Sequence, residues 1–363
     1  MATSTLNYRI LHSRKNILLQ FRRNIVKDNV FTGLKGAVGN TPLIKLEKAS
    51  ALTGCNIMVK AEMLNPGGSV KDRAAYYLIR EAEKRGEVQP GGTIVEGTAG
   101  NTGIGLAHMC MALGYKCVVY IPDDQTKEKI DMLKALGADV RPVPRAPFDS
   151  PLNFNKLAMA HAQETPNSVW TNQFDNVDNQ KAHYETTGPE IWEQTNGKVD
   201  CITFATGTGG TLSGCGIFLK ERNPNVQVYC ADPEGSVLYS YYTKGVVERT
   251  GDGSITQGIG QGRVTKNMEG APVDHALHIT DRMAVEWTFR LLHEEGFFVG
   301  ASSGLNVAAA VEAAKRLGPG KTIVTCLCDS GQRYFAELFS RSWLQKKDLL
   351  DAIPVEYQYS LFE

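Results

Sequence analysis

From Val38 onward the chain alternates short apolar runs with stretches in which apolar residues return every three or four positions. The runs, several rich in Val and Ile and bounded by glycine or polar residues, predict strands over residues 57–61, 93–96, 117–121, 140–143, 201–205, 226–231, 297–300 and 322–327. The periodic stretches predict helices over 70–85, 102–113, 126–136, 212–221, 282–295 and 304–316. Strand and helix in alternation describe an α/β fold with a parallel sheet covered on both faces. A chain of 363 residues is long enough for two such units, or for one with a mobile lobe. The expected lobes are 31–178, carrying Lys71, and 179–345, with part of 40–64 packing on the second lobe and 346–363 as a tail. No internal repeat appears, and within the glycine-rich region 243–267 Gly258-Ile259-Gly260 reads as a shaped loop.

Charge changes this picture only at the start of the chain. Lys plus Arg equals Asp plus Glu at 39 each, which leaves no polyelectrolyte signature for nucleic acid or an anionic membrane. Residues 1–27, however, hold Arg9, Arg14, Lys15, Arg22, Arg23 and Lys27 and no acid, so the body is mildly acidic. An arginine-rich, acid-free start has the composition of a mitochondrial transit peptide over residues 1–30; the alternative is an ordinary basic arm on a cytoplasmic protein. No apolar run approaches the length that crosses a bilayer. The eight cysteines sit mostly in apolar segments with no Cys-x-x-Cys pair, the usage of a reducing compartment rather than of a disulfide framework or a zinc site. Cys326 and Cys328 would face one side of their strand, as small hydrophobes first and as a redox pair second.

Four short motifs carry candidate chemistry. Residues 65–73, Asn-Pro-Gly-Gly-Ser-Val-Lys-Asp-Arg, set Lys71 at a helix start, where the positive helix terminus and neighbouring Arg73 both disfavour an ammonium. A neutral amine is the form Schiff-base chemistry requires, whereas a solvated lysine after a Gly-Gly turn is the plain alternative. Residues 98–103, Thr-Ala-Gly-Asn-Thr-Gly, follow a strand and open a helix whose free amides suit a carboxylate or a phosphate. Residues 206–211, Thr-Gly-Thr-Gly-Gly-Thr, repeat that setting with more glycine, and a phosphate monoester suits them best. A dinucleotide fingerprint competes through Gly207, Gly209 and Asp232, but Leu212 stands where its third glycine is needed, and Cys215 stands where a Walker motif needs lysine. Ser302 and Ser303 precede an alanine-rich helix, either as its N-cap or as hydroxyls for a ring nitrogen.

Taken in order, these motifs resemble the cysteine synthases, the O-acetylserine sulfhydrylases among fold-type II pyridoxal-phosphate enzymes, and among them the eukaryotic mitochondrial-type members. The match runs from Val38-Gly39-Asn40-Thr41-Pro42-Leu43 through 65–73, 96–107, Asn172-Gln173-Phe174-Asp175-Asn176, Thr186-Thr187-Gly188-Pro189-Glu190, 207–214, 258–260 and 302–304 to Asp329-Ser330-Gly331. It implies two three-layer αβα lobes with mostly parallel twisted sheets, similar to the tryptophan synthase β fold, with pyridoxal 5'-phosphate as cofactor and no metal. Lys71 would be the catalytic, cofactor-linking lysine; Gly207, Thr208, Gly209, Gly210 and Thr211 would cradle the phosphate. Asn101 would meet the ring hydroxyl oxygen and Ser302 the pyridine nitrogen, while Thr98, Ala99, Gly100 and Thr102, with Gln173 and Gly258, would take the substrate. Many members carry serine where this chain has Ala99, which keeps a backbone donor and removes a hydroxyl. The implied reaction is β-replacement, in which O-acetyl-L-serine and sulfide give L-cysteine and acetate through internal and external aldimines and an aminoacrylate. A homodimer is also implied, and the family admits a serine acetyltransferase partner.

Rival readings remain beside this one. Cystathionine β-synthase shares the lysine stretch and both loops and takes serine with homocysteine. A catalytically idle regulatory partner of serine acetyltransferase would use the same pocket, but Lys71, Asn101, Gln173 and Ser302 are all retained. A serine or threonine dehydratase fits the Asn101 and Gln173 stretches less well, and a nicotinamide oxidoreductase leaves the lysine stretch without purpose.

Overall fold

A computed structural model describes residues 30–362 except Ala99 and Thr126; the basic segment 1–29, and with it the transit-peptide expectation, lies outside the described residues. The strands are β1 (Leu43–Lys45), β2 (Asn56–Ala61), β3 (Thr93–Gly97), β4 (Lys116–Pro122), β5 (Asp139–Val143), β6 (Ser168–Trp170), β7 (Cys201–Ala205), β8 (Gln227–Pro233), β9 (His275–Ile279) and β10 (Thr322–Leu327). They form two sheets. One has the order β5-β4-β3-β6 and is parallel throughout; the other has the order β1-β2-β10-β7-β8-β9 and is parallel except where β1 runs against β2.

β10 is buried along its whole length, as a central parallel strand must be when helices cover both faces. Beneath it lies the helix Ala301–Leu317, whose alanines let two backbones approach closely. A Cβ at Gly304 would sit 2.2 Å from the Ala284 carbonyl of the neighbouring helix Asp281–Glu295. The four-stranded sheet packs instead against helices Lys71–Lys84 and Asn101–Leu113, through Ile79, Ile94, Leu106 and Val119. Each of these two helices starts at the carboxyl end of a strand or of the loop that follows one, which is where α/β sheets hold ligands.

Two expectations are corrected here. Residues 297–300 do not form a strand: Val299 makes only an isolated bridge to Ser330, and the Phe297 amide caps the preceding helix by donating to Leu291 O. Neither Ser302 nor Ser303 is an N-cap, because the cap position of their helix is Gly300. The cysteines are free and buried, and Cys326 and Cys328 do face one side, with 3.6 Å between their sulfurs.

Candidate active site

The segment before Lys71 is held by the end of β10. Gly68 turns back at φ +79°, Ser69 bridges to Asp329, and the Val70 amide donates to Cys328 O at 3.0 Å. Only then does the helix begin, at Lys71, whose own amide donates to Ser69 Oγ. The half-buried Lys71 side chain lines a cavity together with Phe204, Gly207, Thr208, Gly209, Thr211, Ile259, Cys326 and Cys328. The lysine and the 206–211 turn, far apart in sequence, thus share one enclosure.

Arg73 does not play the part expected of it. Two residues further along the helix it points to the opposite side, donating to Glu62 at 2.8 Å and to Glu190 at 2.6 Å, while Lys60 meets Glu190 at 2.7 Å. Burial alone would raise the Glu62 carboxyl, but the Arg73 guanidinium outweighs it and holds that group down to about 2. Arg73 is therefore an anchor of the helix rather than a charge aimed at Lys71. Asp72, on the same turn, accepts from the Gly67 amide at 2.5 Å; burial pushes its carboxyl up to about 7.

The 206–211 turn is glycine-rich for reasons visible around it. A Cβ at Gly207 would meet Gly258 O at 2.1 Å, one at Gly210 would meet Asn179 Oδ1 at 2.3 Å, and Gly209 adopts φ +89°. Thr208 Oγ1 accepts from Asn179 at 2.8 Å, and Thr211 Oγ1 pairs with His183 Nε2 at 3.1 Å. Burial lowers His183 to about 3, so its ring is neutral. The amides of residues 207–211 donate to no acceptor among the described residues and open the helix Gly210–Arg222. Unpartnered amides at a helix start form an anion site, and a primary amine shares their cavity. A ligand carrying a phosphate at one end and an aldehyde at the other, pyridoxal phosphate, fits these residues.

The 98–103 motif is not among the residues that line this cavity; it is held by bonds of its own. Thr98 Oγ1 accepts from the Gly100 amide at 3.3 Å, and Thr102 donates to Gln173 Oε1 at 2.5 Å with both side chains buried. Gln173 is held in turn by the buried Glu96, which accepts from its amide at 3.1 Å. Burial raises the Glu96 carboxyl to about 7 despite bonds from Thr171, Gln173 and Gly97. Asn101 opens the helix Asn101–Leu113, its amide nitrogen donating to Asp329 Oδ2 at 2.7 Å and its oxygen accepting from Arg333. Ala99 lies outside the described residues. Ser302 is buried and borders a second cavity with Tyr334 and Trp343, and it is not among the residues that line the lysine cavity. Asp232 serves its own strand end, accepting from the Tyr239 amide at 2.6 Å.

Sequence reasoning assigned no role to Asp329, Arg333, Asn179 or Glu96. Two of them had a signal: Glu96 opens the matched stretch 96–107, and Asp329 opens the Asp329-Ser330-Gly331 motif.

Residues 34–329 match the family described as pyridoxal-phosphate dependent enzyme. The chain is 55% identical over 345 residues to cysteine synthase 1 of Neurospora crassa, covering 93% of this chain and 92% of that one. It is 56% identical over 327 residues to cysteine synthase 1 of Emericella nidulans, with 89% and 88% covered. Among solved structures, the O-acetylserine dependent cystathionine beta-synthase from Helicobacter pylori superposes with a TM-score of 0.77 at 33% identity, over 85% of this chain and 98% of that one. The chain belongs to the pyridoxal-phosphate dependent enzymes of fold type II, in the group that holds the cysteine synthases.

Proposed function

We propose that this protein is a cysteine synthase, replacing the acetoxy group of O-acetyl-L-serine by sulfide to give L-cysteine and acetate. The observation that carries the reading is the cavity joining Lys71 to the turn 207–211, in a chain 55% identical to a cysteine synthase. When bound, pyridoxal phosphate supplies an electron sink for the charge left at the substrate α-carbon. The rest falls to the protein. The amides of Gly207 to Thr211 hold the phosphate, and Lys71 links the cofactor and then serves as general base at the α-carbon, returning the proton at the end. Asn101 donates to the ring oxygen. Ser302 offers the ring nitrogen a neutral hydroxyl, which unlike a carboxylate does not favour a protonated pyridine, and this suits loss of the β-substituent over transamination. Thr98, Gly100, Thr102 and Gln173 take the substrate carboxylate, with the backbone of Ala99, and Gly258 shapes the far wall through its contact with Gly207.

The test is an assay of the purified, cofactor-loaded protein with O-acetyl-L-serine plus sulfide, in parallel with homocysteine supplied together with either serine or O-acetyl-L-serine. Cysteine formation is expected to dominate, and Lys71→Ala to reduce it by about 10²–10⁴-fold. Cystathionine as the main product, or an active Lys71→Ala, rejects the reading. The second arm matters because the structurally similar Helicobacter pylori protein is an O-acetylserine dependent cystathionine beta-synthase.

The same reading includes a homodimer, a serine acetyltransferase partner and a mitochondrial location. The location is supported by the acid-free, arginine-bearing segment 1–27. A fusion of residues 1–30 to a fluorescent protein that stays in the cytosol rejects it. No helix among the described residues is long and apolar enough to cross a membrane.

A further inference from the structure

One short segment reaches both halves of the site without a role in the reaction outlined above. Asp329 directly follows Cys328 beyond β10 and is fully buried. Its Oδ2 accepts from Asn101 Nδ2 at 2.7 Å and from the Tyr334 hydroxyl at 2.5 Å. Its Oδ1 has no partner among the described residues and lies against Gly300, where a Cβ would come within 2.6 Å. Arg333, in the single turn Gly331–Tyr334, donates one nitrogen to Asn101 Oδ1 and another to the carbonyl of Gly67, in the loop that precedes Lys71.

An asparagine amide can present either end to a ligand, and only its partners decide which. A guanidinium can donate and never accept, so the amide oxygen must face Arg333. The amide nitrogen then faces Asp329, which takes one of its two hydrogens. The second N–H remains as a donor. Reversal would set N–H against N–H at Arg333 and oxygen against oxygen at Asp329, a double loss in a partly buried setting.

We propose that Asp329 and Arg333 are positioning residues that lock the Asn101 amide with its nitrogen available to the ring oxygen of pyridoxal phosphate. The proposal rests on the role given to Asn101 above and names what makes that role unambiguous. It also gives the two lobes a reason to act together, because the donor on the Asn101 helix is correctly turned only while the segment after β10 is docked against it. The second tie, from Arg333 to Gly67, fixes the lysine loop from the same side chain.

The test is a double-mutant cycle on the loaded enzyme, read by the visible absorption band of the bound cofactor, its pH midpoint, and kcat against KM for O-acetyl-L-serine. Asn101→Ala and Arg333→Met should each shift the band in the same direction and lower kcat on the order of tenfold. In the Asn101→Ala background, Arg333→Met should add less than about twofold. Arg333→Lys, which keeps a donor, should restore the band. Asp329→Leu, which removes the acceptor at similar size, should move it as Arg333→Met does, and in a cycle with Asn101→Ala it reads the same coupling if Arg333→Met does not fold. If Arg333→Met and Asp329→Leu cost the same factor with and without the Asn101 amide, the proposal is overturned while the Asn101 assignment stands. If Asn101→Ala leaves band and kcat unchanged, the Asn101 assignment fails and the proposal with it.

Discussion

Arg73 Nη1 lies 2.6 Å from Glu190, a residue 117 positions further along the chain, on the face of its helix opposite Lys71. Glu62 takes the remaining guanidinium nitrogens at 2.8 Å, and both Arg73 and Glu62 are almost wholly excluded from water. A buried pair of this kind adds little against a well-packed apolar substitute, but removing one member leaves a charge without compensation. Arg73→Met should therefore destabilise the protein by about 3–5 kcal/mol, measured by denaturant unfolding. The pH dependence has a definite sign. The Glu62 carboxyl sits at about 2 in the fold, below its unfolded value, so its contribution is present at neutral pH and is lost as the pH falls from about 4.5 towards 2. That acid-side loss should shrink in Arg73→Met. A variant as stable as the parent would show that the cluster does not anchor the lysine helix.

Gly207 tests the phosphate turn. Its Cβ would stand 2.1 Å from the carbonyl oxygen of Gly258, an atom of backbone and not the end of a flexible side chain. Gly207→Ala must push one loop away from the other, and overpacking of this kind costs about 1–3 kcal/mol. If the strain falls on the bound state, pyridoxal phosphate should bind at least about tenfold more weakly. Titration of the cofactor-free variant, followed by visible absorbance, measures this. An unchanged dissociation constant would remove the turn from the cofactor site.

Glu96 carries a pH effect of the opposite sense. Burial leads, the three hydrogen bonds it accepts only partly offset it, and the carboxyl rises to about 7 in the fold. A carboxyl raised on folding contributes most below its unfolded value, and that contribution disappears as the pH climbs from about 4.5 to 7. Glu96→Gln keeps an acceptor for the Gln173 amide and does not titrate. Unfolding free energies from urea titrations across this range should thus fall in the parent relative to the variant, by roughly 2–3 kcal/mol in all. Asp72 is shifted in the same direction and stays in both proteins, so the difference isolates Glu96. Parallel curves would refute the shift.

The hydrophobic pattern located the central strands almost to the residue, as at β7 and β10, because a strand buried on both faces is a continuous apolar run. It passed over β1, β6 and β9. The first two are only three residues long, and β9, His275–Ile279, places two histidines among its five positions. Residues 297–300 mislead because Phe297, Phe298 and Val299 are apolar for another reason: Phe298 packs on Phe339 at 4.7 Å, in the cluster that holds the C-terminal segment. In the site, glycine spacing and a lone lysine were legible, since loop geometry restricts residue type locally. Which way Arg73 pointed was not, because that depends on Glu190, far along the chain. The tie of Asn101 to Asp329 and Arg333 was hidden for the same reason.

Thr102 and Gln173 supply a test of the substrate role proposed for them. The Thr102 hydroxyl donates to Gln173 Oε1 at 2.5 Å, and both side chains are buried, so the hydroxyl fixes which end of the Gln173 amide faces inward. Thr102→Val keeps the branched shape while leaving the carboxamide oxygen without its donor, a loss of about 1–3 kcal/mol. Gln173 is then free to turn. If the two residues hold the substrate carboxylate, KM for O-acetyl-L-serine should rise by roughly tenfold, with a smaller change in kcat and none in cofactor stoichiometry. A fall in kcat at constant KM would instead place the pair in service of the reacting atoms. No change in either constant would take Thr102 and Gln173 out of the substrate site.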